Sequence, residues 1–104
     1  MLFTDVSFHD ALILEVREHS LTQTIDFIVD FPVNWDENKF EKKILRFKDV
    51  IFYNIHEILF SGYPTILKID YEPPDSNSFM RIKMETTAGD RVLEYKDAEF
   101  LHYT

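Results

Sequence analysis

The stretch Leu45-Arg46-Phe47-Lys48 alternates apolar and charged residues, the period-two mark of a half-buried strand. Lys48-Asp49 breaks the alternation, and Val50-Ile51-Phe52-Tyr53 resumes as a β-branched and aromatic run. The pattern predicts a strand, a sharp bend at Asp49 and a second strand. Asp suits the bend because its carboxylate accepts a nearby backbone N–H and because it tolerates unusual φ/ψ. The same order of aromatic, polar, Asp and small residues recurs at Tyr95-Lys96-Asp97-Ala98 and at Phe8-His9-Asp10-Ala11. Three β bends of similar chemistry account for it. The sharper readings are an internal duplication and three carboxylates, Asp10, Asp49 and Asp97, gathered on a hard cation.

Taken in order, Leu2 to Phe8 alternates as an edge strand. After Asp10, Leu12, Leu14 and Val16 face one way and Ile13, Glu15 and Arg17 the other. Glu18-His19-Ser20-Leu21 turns the chain into a second alternating run. There Ile25, Phe27 and Val29 join the inner face of a β-hairpin, and Asp26 and Asp30 join Glu15 on its exposed outer face. Pro32, which cannot donate to a ladder, ends the hairpin. Residues 33–42 form a charged connection in which Asn34 caps a single helical turn through Lys39 and Trp35 and Phe40 anchor the loop. Strands are expected at 43–48 and 50–55. Ile55 to Phe60 is ambiguous, since Ile55, Ile58 and Leu59 have helical spacing among residues that favour extension.

Ser61-Gly62-Tyr63-Pro64 is a turn. Thr65 to Glu72 is a strand with Leu67, Ile69 and Tyr71 on one face, stopped by Pro73-Pro74. Asp75 to Ser78 is a loop. Phe79 to Thr86 turns Met80, Ile82 and Met84 inward. A tight turn over Thr87 to Asp90 leads to Arg91 to Lys96, a second hairpin, and a last strand spans Ala98 to Tyr103. These elements predict an all-β fold, or a β-rich α+β fold with one short helix. The expected architecture is an antiparallel meander of about seven to nine strands forming a barrel or a sandwich. No helical stretch supports a βαβ unit.

A chain of 104 residues fits one domain, residues 1–104, and 45% hydrophobic content argues against disorder. With two Gly there is no phosphate loop or dinucleotide fingerprint. The absence of Cys excludes thiol catalysis, disulfides and thiolate metal sites. No apolar run reaches membrane length, and the start lacks the basic and apolar regions of a signal peptide, so a soluble cytoplasmic protein is expected. Net charge is −8 and uneven: residues 1–40 hold eight acids against two bases, residues 41–104 eleven against nine. Such acidity disfavours nucleic acid and attracts a basic protein partner.

Little chemistry stands out. His9, His19, His56 and His102 lack metal-ligand spacing. His9-Asp10 is the least poor acid–base pair, because the rule that adjacent strand residues face apart relaxes at a bend. No nucleophile elbow surrounds any Ser, and no cofactor is implied. Arg81 and Lys83 share a face with Glu85 and Glu94 nearby, so cross-strand ion pairing is the ordinary reading. A basic patch there, meeting the acidic hairpin of a second copy, would make a homodimer.

Phe8-His9-Asp10-Ala11 opening a long alternating hairpin resembles the start of several small bacterial β-domains, some of them immunity families of polymorphic toxin systems. Leu45-Arg46-Phe47-Lys48-Asp49-Val50 is similar to a run in such domains. The resemblance implies a bacterial cytoplasmic protein that binds another protein, and it transfers no functional residues. The leading expectation is therefore a non-enzymatic binding module, of the kind that inhibits a basic toxin through an acidic hairpin face carrying Glu15, Asp26, Asp30, Asp36 and Glu37. Two alternatives are a β-barrel holding a small apolar ligand, which would use the excess of Phe and Tyr, and a metal-dependent protein using His9, Asp10 and Asp49.

Overall fold

In the computed structural model, which describes residues 2–34, 36–74 and 78–103, the alternating segments become strands of two sheets. One short helix, α1 (Leu2–Asp5), precedes β1 (Leu12–His19), β2 (Thr24–Asn34), β3 (Lys39–Lys48), β4 (Phe52–Glu57), β5 (Ile66–Glu72), β6 (Met80–Thr86), β7 (Gly89–Tyr95) and β8 (Asp97–His102). All neighbouring strands are antiparallel, in the orders β1-β2-β3-β8 and β4-β7-β6-β5. The sheets are not closed into a barrel; of the two architectures left open by the pattern, the chain adopts the sandwich. The expected anchoring by Trp35, and most of the loop expected over Asp75 to Ser78, lie outside the described residues.

The sheets are joined by a bent two-stranded ribbon and, at the other side, by a short seam in which Leu12 bridges Thr65 and the Ile66 N–H donates to the Ala11 carbonyl at 2.8 Å. β3 pairs with β8 as far as Lys48 opposite Asp97, and β4 pairs with β7 from Phe52 opposite Glu94. Between these pairs the chain changes sheets on both strands at once. Asp49 takes a positive φ of 52°, and the Lys96 N–H donates to the Lys48 carbonyl at 3.1 Å. Asp10 has φ 72°, so two of the three expected corner aspartates occupy the left-handed region that Asp tolerates better than most residues. At the third corner the bend falls on Lys96, and Asp97 opens β8 with its Oδ1 accepting the Ala98 N–H at 2.9 Å.

The aromatic residue of each corner points into the core. Phe8, Phe47 and Tyr95 are buried, and so are Ala11 and Val50 just after the bends. Phe47 and Tyr95 meet edge to face with centroids 4.9 Å apart, Phe27 meets Phe47 at 5.7 Å, and Phe3 stacks on Phe47 at 5.9 Å. Leu45, Val29, Ile66, Ile82, Met84 and Leu93 complete the interior.

The structure differs from the pattern at five places. Leu2 to Asp5 is helical, with the Val6 N–H donating to the Leu2 carbonyl. The segment serves to lay Phe3 and Phe8 onto the aromatic cluster, where Phe8 meets Phe100 at 5.0 Å. A bulge between Ile13 and Glu15 turns Ile13 into the core and leaves Leu12 and Leu14 half-buried. A bulge between Ile66 and Lys68 likewise buries Ile66 and sends Leu67 outward. The β1–β2 ladder stops at Asp30, just before Pro32, as expected of the hairpin, but the connection expected over 33–42 is mostly strand: β2 runs on beside β3 to Asn34 and β3 begins at Lys39. Asn34 does accept the Glu37 N–H at 3.2 Å, as a cap would, but it closes a turn and no helix follows.

Three outcomes follow from the corners and core. Asp49→Gly should leave stability within about 0.5 kcal/mol, whereas Asp49→Val should cost about 1–2 kcal/mol in equilibrium urea unfolding, because a β-branched side chain resists positive φ. The Tyr95 hydroxyl is buried without a hydrogen-bond partner among the described residues, so Tyr95→Phe should stabilise the fold by about 1 kcal/mol. Burial also holds the Tyr95 phenol well above its ordinary pKa, with Tyr71 and Asp97 adding to the shift. Its contribution is therefore complete below the unfolded pKa of about 10 and is lost as pH rises from there towards the folded value. Urea midpoints between pH 9 and 11 should fall less steeply for Tyr95→Phe than for the parent chain.

Candidate functional site

The acidic hairpin face is largely self-neutralised. Asp26, only 4% exposed, lies opposite Arg46 in the β2–β3 register and receives both Arg46 Nε (2.8 Å) and Nη2 (3.0 Å). Its Oδ2 also lies 3.5 Å from His19 Nε2. Asp26 was expected on the exposed face; a planar guanidinium on the neighbouring strand draws it under cover instead. Glu15 is exposed but held by Arg17 at 3.0 and 3.1 Å, which keeps its carboxyl below the usual range. The buried Ile28 lies on this same outer face, outside the main core. Asp30 is half-buried opposite Lys42; Asp36 and Glu37 are exposed at the β2–β3 turn. Of the five expected contact residues, the last two are the most open to a partner.

The other expected sites are also taken up locally. His9 Nδ1 meets Asp10 Oδ2 at 2.8 Å, a contact that the left-handed Asp10 backbone permits between neighbours. Among the described residues no group of three or more His, Asp or Glu could hold a metal ion. Arg81 reaches Glu94 (3.7 Å) and Glu72 (3.8 Å) and Lys83 reaches Asp90 (3.7 Å), the cross-strand pairing expected of that face, while Lys83 also meets Glu85 of its own strand (3.8 Å). An open cleft of about 330 Å³ runs between the β1–β2 tip and the start of β4, lined by Glu18, Gln23, Ile25, Ile51 and Tyr53.

The feature that stands out is the free edge of β4 and the segment that continues it. Between Val50 and Leu67 the sequence holds one ionised side chain, Glu57. Seven of its large apolar residues, Ile51, Phe52, Ile55, Ile58, Leu59, Phe60 and Tyr63, are 41–102% exposed. β4 is an outer strand, with β7 as its neighbour in the sheet. The Ile58 N–H donates to the Ala88 carbonyl, continuing the β4–β7 register. By strand alternation Phe52, Asn54 and His56 then address β7, and the backbone N–H and C=O groups of Tyr53, Ile55 and Glu57 point away from it. The other outer strands carry the usual safeguards against unwanted pairing. β1 has a bulge and Glu15, Arg17 and Glu18; β5 has a bulge and Lys68; β8 has Asp97 and Glu99. β4 has no Lys, Arg or Pro.

This edge is held rigidly from behind. Arg91 lies on the inner face of the sandwich over the Phe27 ring (5.8 Å) and grips Glu57 through Nε (2.7 Å) and Nη2 (3.0 Å). Its Nη1 donates to the Tyr53 hydroxyl at 2.8 Å, so one side chain fixes both ends of β4. Burial works against the Arg91 charge; the Glu57 carboxylate and the Tyr53 hydroxyl outweigh it and hold the guanidinium above its ordinary pKa. Gly89 opens β7 directly beside β4: with φ 143°, a Cβ there would come within 2.3 Å of the His56 carbonyl oxygen, so only glycine lets the strands approach.

Compared with family models, curated proteins and solved structures, the chain matches none. No comparison therefore assigns any residue a role, and function has to be read from the surface itself.

The two kinds of ion pair should separate cleanly in urea unfolding. Arg91→Ala leaves Glu57, with its side chain 16% exposed, without its partner and should cost about 2–3 kcal/mol. Arg17→Ala breaks a solvent-exposed pair and should cost no more than about 0.5 kcal/mol.

Proposed function

We propose that the protein is a non-enzymatic binding module that receives an extended segment of another polypeptide along β4. The observation that carries this reading is an uncovered, charge-poor, apolar edge strand on a chain whose other strand edges and faces bear paired charges. Such an edge offers backbone donors and acceptors in a fixed row, with apolar side chains beside them, which is the chemistry of strand addition. A small-ligand role has less support, because the space between the sheets is filled by Phe27, Phe47, Ile82, Met84, Leu93 and Tyr95. A basic partner of the inhibitor type would reach Asp36 and Glu37 rather than Asp26, whose carboxylate already serves Arg46.

Affinity capture from the native cell with three baits tests the assignment. Proteins retained by the parent chain should be retained by the turn variant D36K/E37K and lost by the edge variant I55K/L59D, with all three baits folded by circular dichroism. The reverse pattern would return the binding role to the acidic turn, and no retained polypeptide would remove it.

A further inference from the structure

The β4 edge has a property that selects its occupant. Read outward in both directions from Ile55, the chain is chemically palindromic. Asn54 and His56 are the neutral polar neighbours, Tyr53 and Glu57 the pair bridged by Arg91, Phe52 and Ile58 the next apolar pair, and Ile51 and Leu59 the one beyond. An antiparallel partner with the same sequence therefore sets apolar against apolar and neutral polar against neutral polar, with Tyr53 and Glu57 as a hydroxyl facing a carboxylate. With a two-fold axis at Ile55, each Tyr53 falls opposite the other copy's Glu57 and Ile55 falls opposite itself. These are the three residues whose backbone groups face outward, so the register that matches side chains is also one that completes hydrogen bonds. Asn54 then lies across from His56, an amide beside an imidazole, and Phe52 across from Ile58.

From this we infer that β4 pairs with β4 of a second copy, joining two four-stranded sheets edge to edge about a two-fold axis; the inference rests on the β4-edge reading above and names its occupant. Charge permits it. Each chain carries −8 overall, yet the stretch that would meet its copy holds a single carboxylate, Glu57, already clasped by Arg91. Area permits it too. At their observed exposures of 41–102%, the seven apolar residues from Ile51 to Tyr63 present on the order of 800 Å², taking roughly 200 Å² for each when fully exposed, which is about one partner's share of a stable interface. An isologous contact of this kind closes on itself and leaves no second free β4 edge, so it gives a dimer and not a fibre.

The chain has no cysteine, which makes the register directly testable. Facing residues of a hydrogen-bonded antiparallel pair have Cα atoms about 5.5 Å apart, within disulfide range. Ile55→Cys should therefore cross-link into a covalent dimer under mild oxidation at least tenfold faster than Leu21→Cys, which sits 98% exposed on the β1–β2 turn. In sedimentation equilibrium the parent chain should be dimeric at micromolar concentration, and Ile55→Lys, folded by circular dichroism, should weaken the dimer at least a hundredfold. A parent chain monomeric up to about millimolar concentration, or a dimer that survives Ile55→Lys while Ile55→Cys fails to cross-link, would overturn the inference. If the chain is monomeric but I55K/L59D still releases a captured polypeptide, the β4 edge keeps its binding role and only the second copy is rejected; loss of both results removes both.

Discussion

The contact between Phe47 and Tyr95 holds the architecture together. Each ring stands within two residues of the point where its strand leaves one sheet for the other, and their centroids lie 4.9 Å apart in the interior. Both corners must form together, because β3–β4 and β7–β8 bend as one hydrogen-bonded ribbon. The left-handed residue at Asp49 sets the direction of the turn, and the aromatic pair gives the turn something to bury. Phe3 and Phe8, brought in by the N-terminal segment, close the same cluster from outside the sheets.

Electrostatics then shapes what the fold presents. Arg46 with Asp26, Arg17 with Glu15, and Lys48 with Glu99 neutralise the outer face of the first sheet, while Arg81 and Lys83 with their acidic neighbours do so on the second. Most of these pairs are open to solvent and add little stability. Their effect is on specificity: they make both faces polar, hydrated and poor places for another chain to dock. What they leave uncovered is the row from Phe52 to Tyr63, where the chain carries almost no charge. The pair of Arg91 and Glu57, largely hidden from solvent, lies on the inner face directly behind that row and ties Tyr53 to Glu57.

Sequence periodicity accounts for much of the fold and for little of the candidate site. The β1–β2 and β6–β7 hairpins, the three corners and the inward set Met80, Ile82 and Met84 follow from alternation and turn chemistry, both local properties. The helical start at Leu2 to Asp5 does not, since its conformation answers to rings contributed by Phe47, Phe31 and Phe100 far along the chain. Ile13 and Leu67 reversed their expected faces because a bulge shifts the two-residue phase, and a bulge is specified by the partner strand. The run from Val50 to Leu67 carried one legible signal, its lack of charge, but an uncharged apolar run is equally what a buried strand looks like.

The linear order of residues by itself determined that the chain folds into short antiparallel strands, where it turns, and which aromatic side chains lead into the corners, because each of these depends on neighbours within a few positions. Which strands became the sheet edges was decided only in three dimensions. Exposure of Ile55 and Leu59, concealment of Asp26, and the clasp of Arg91 on Glu57 all depend on residues 20 or more positions apart, or on a strand neighbour that β4 lacks. Burial is a property of pairs of surfaces, and a sequence names only one member of each pair.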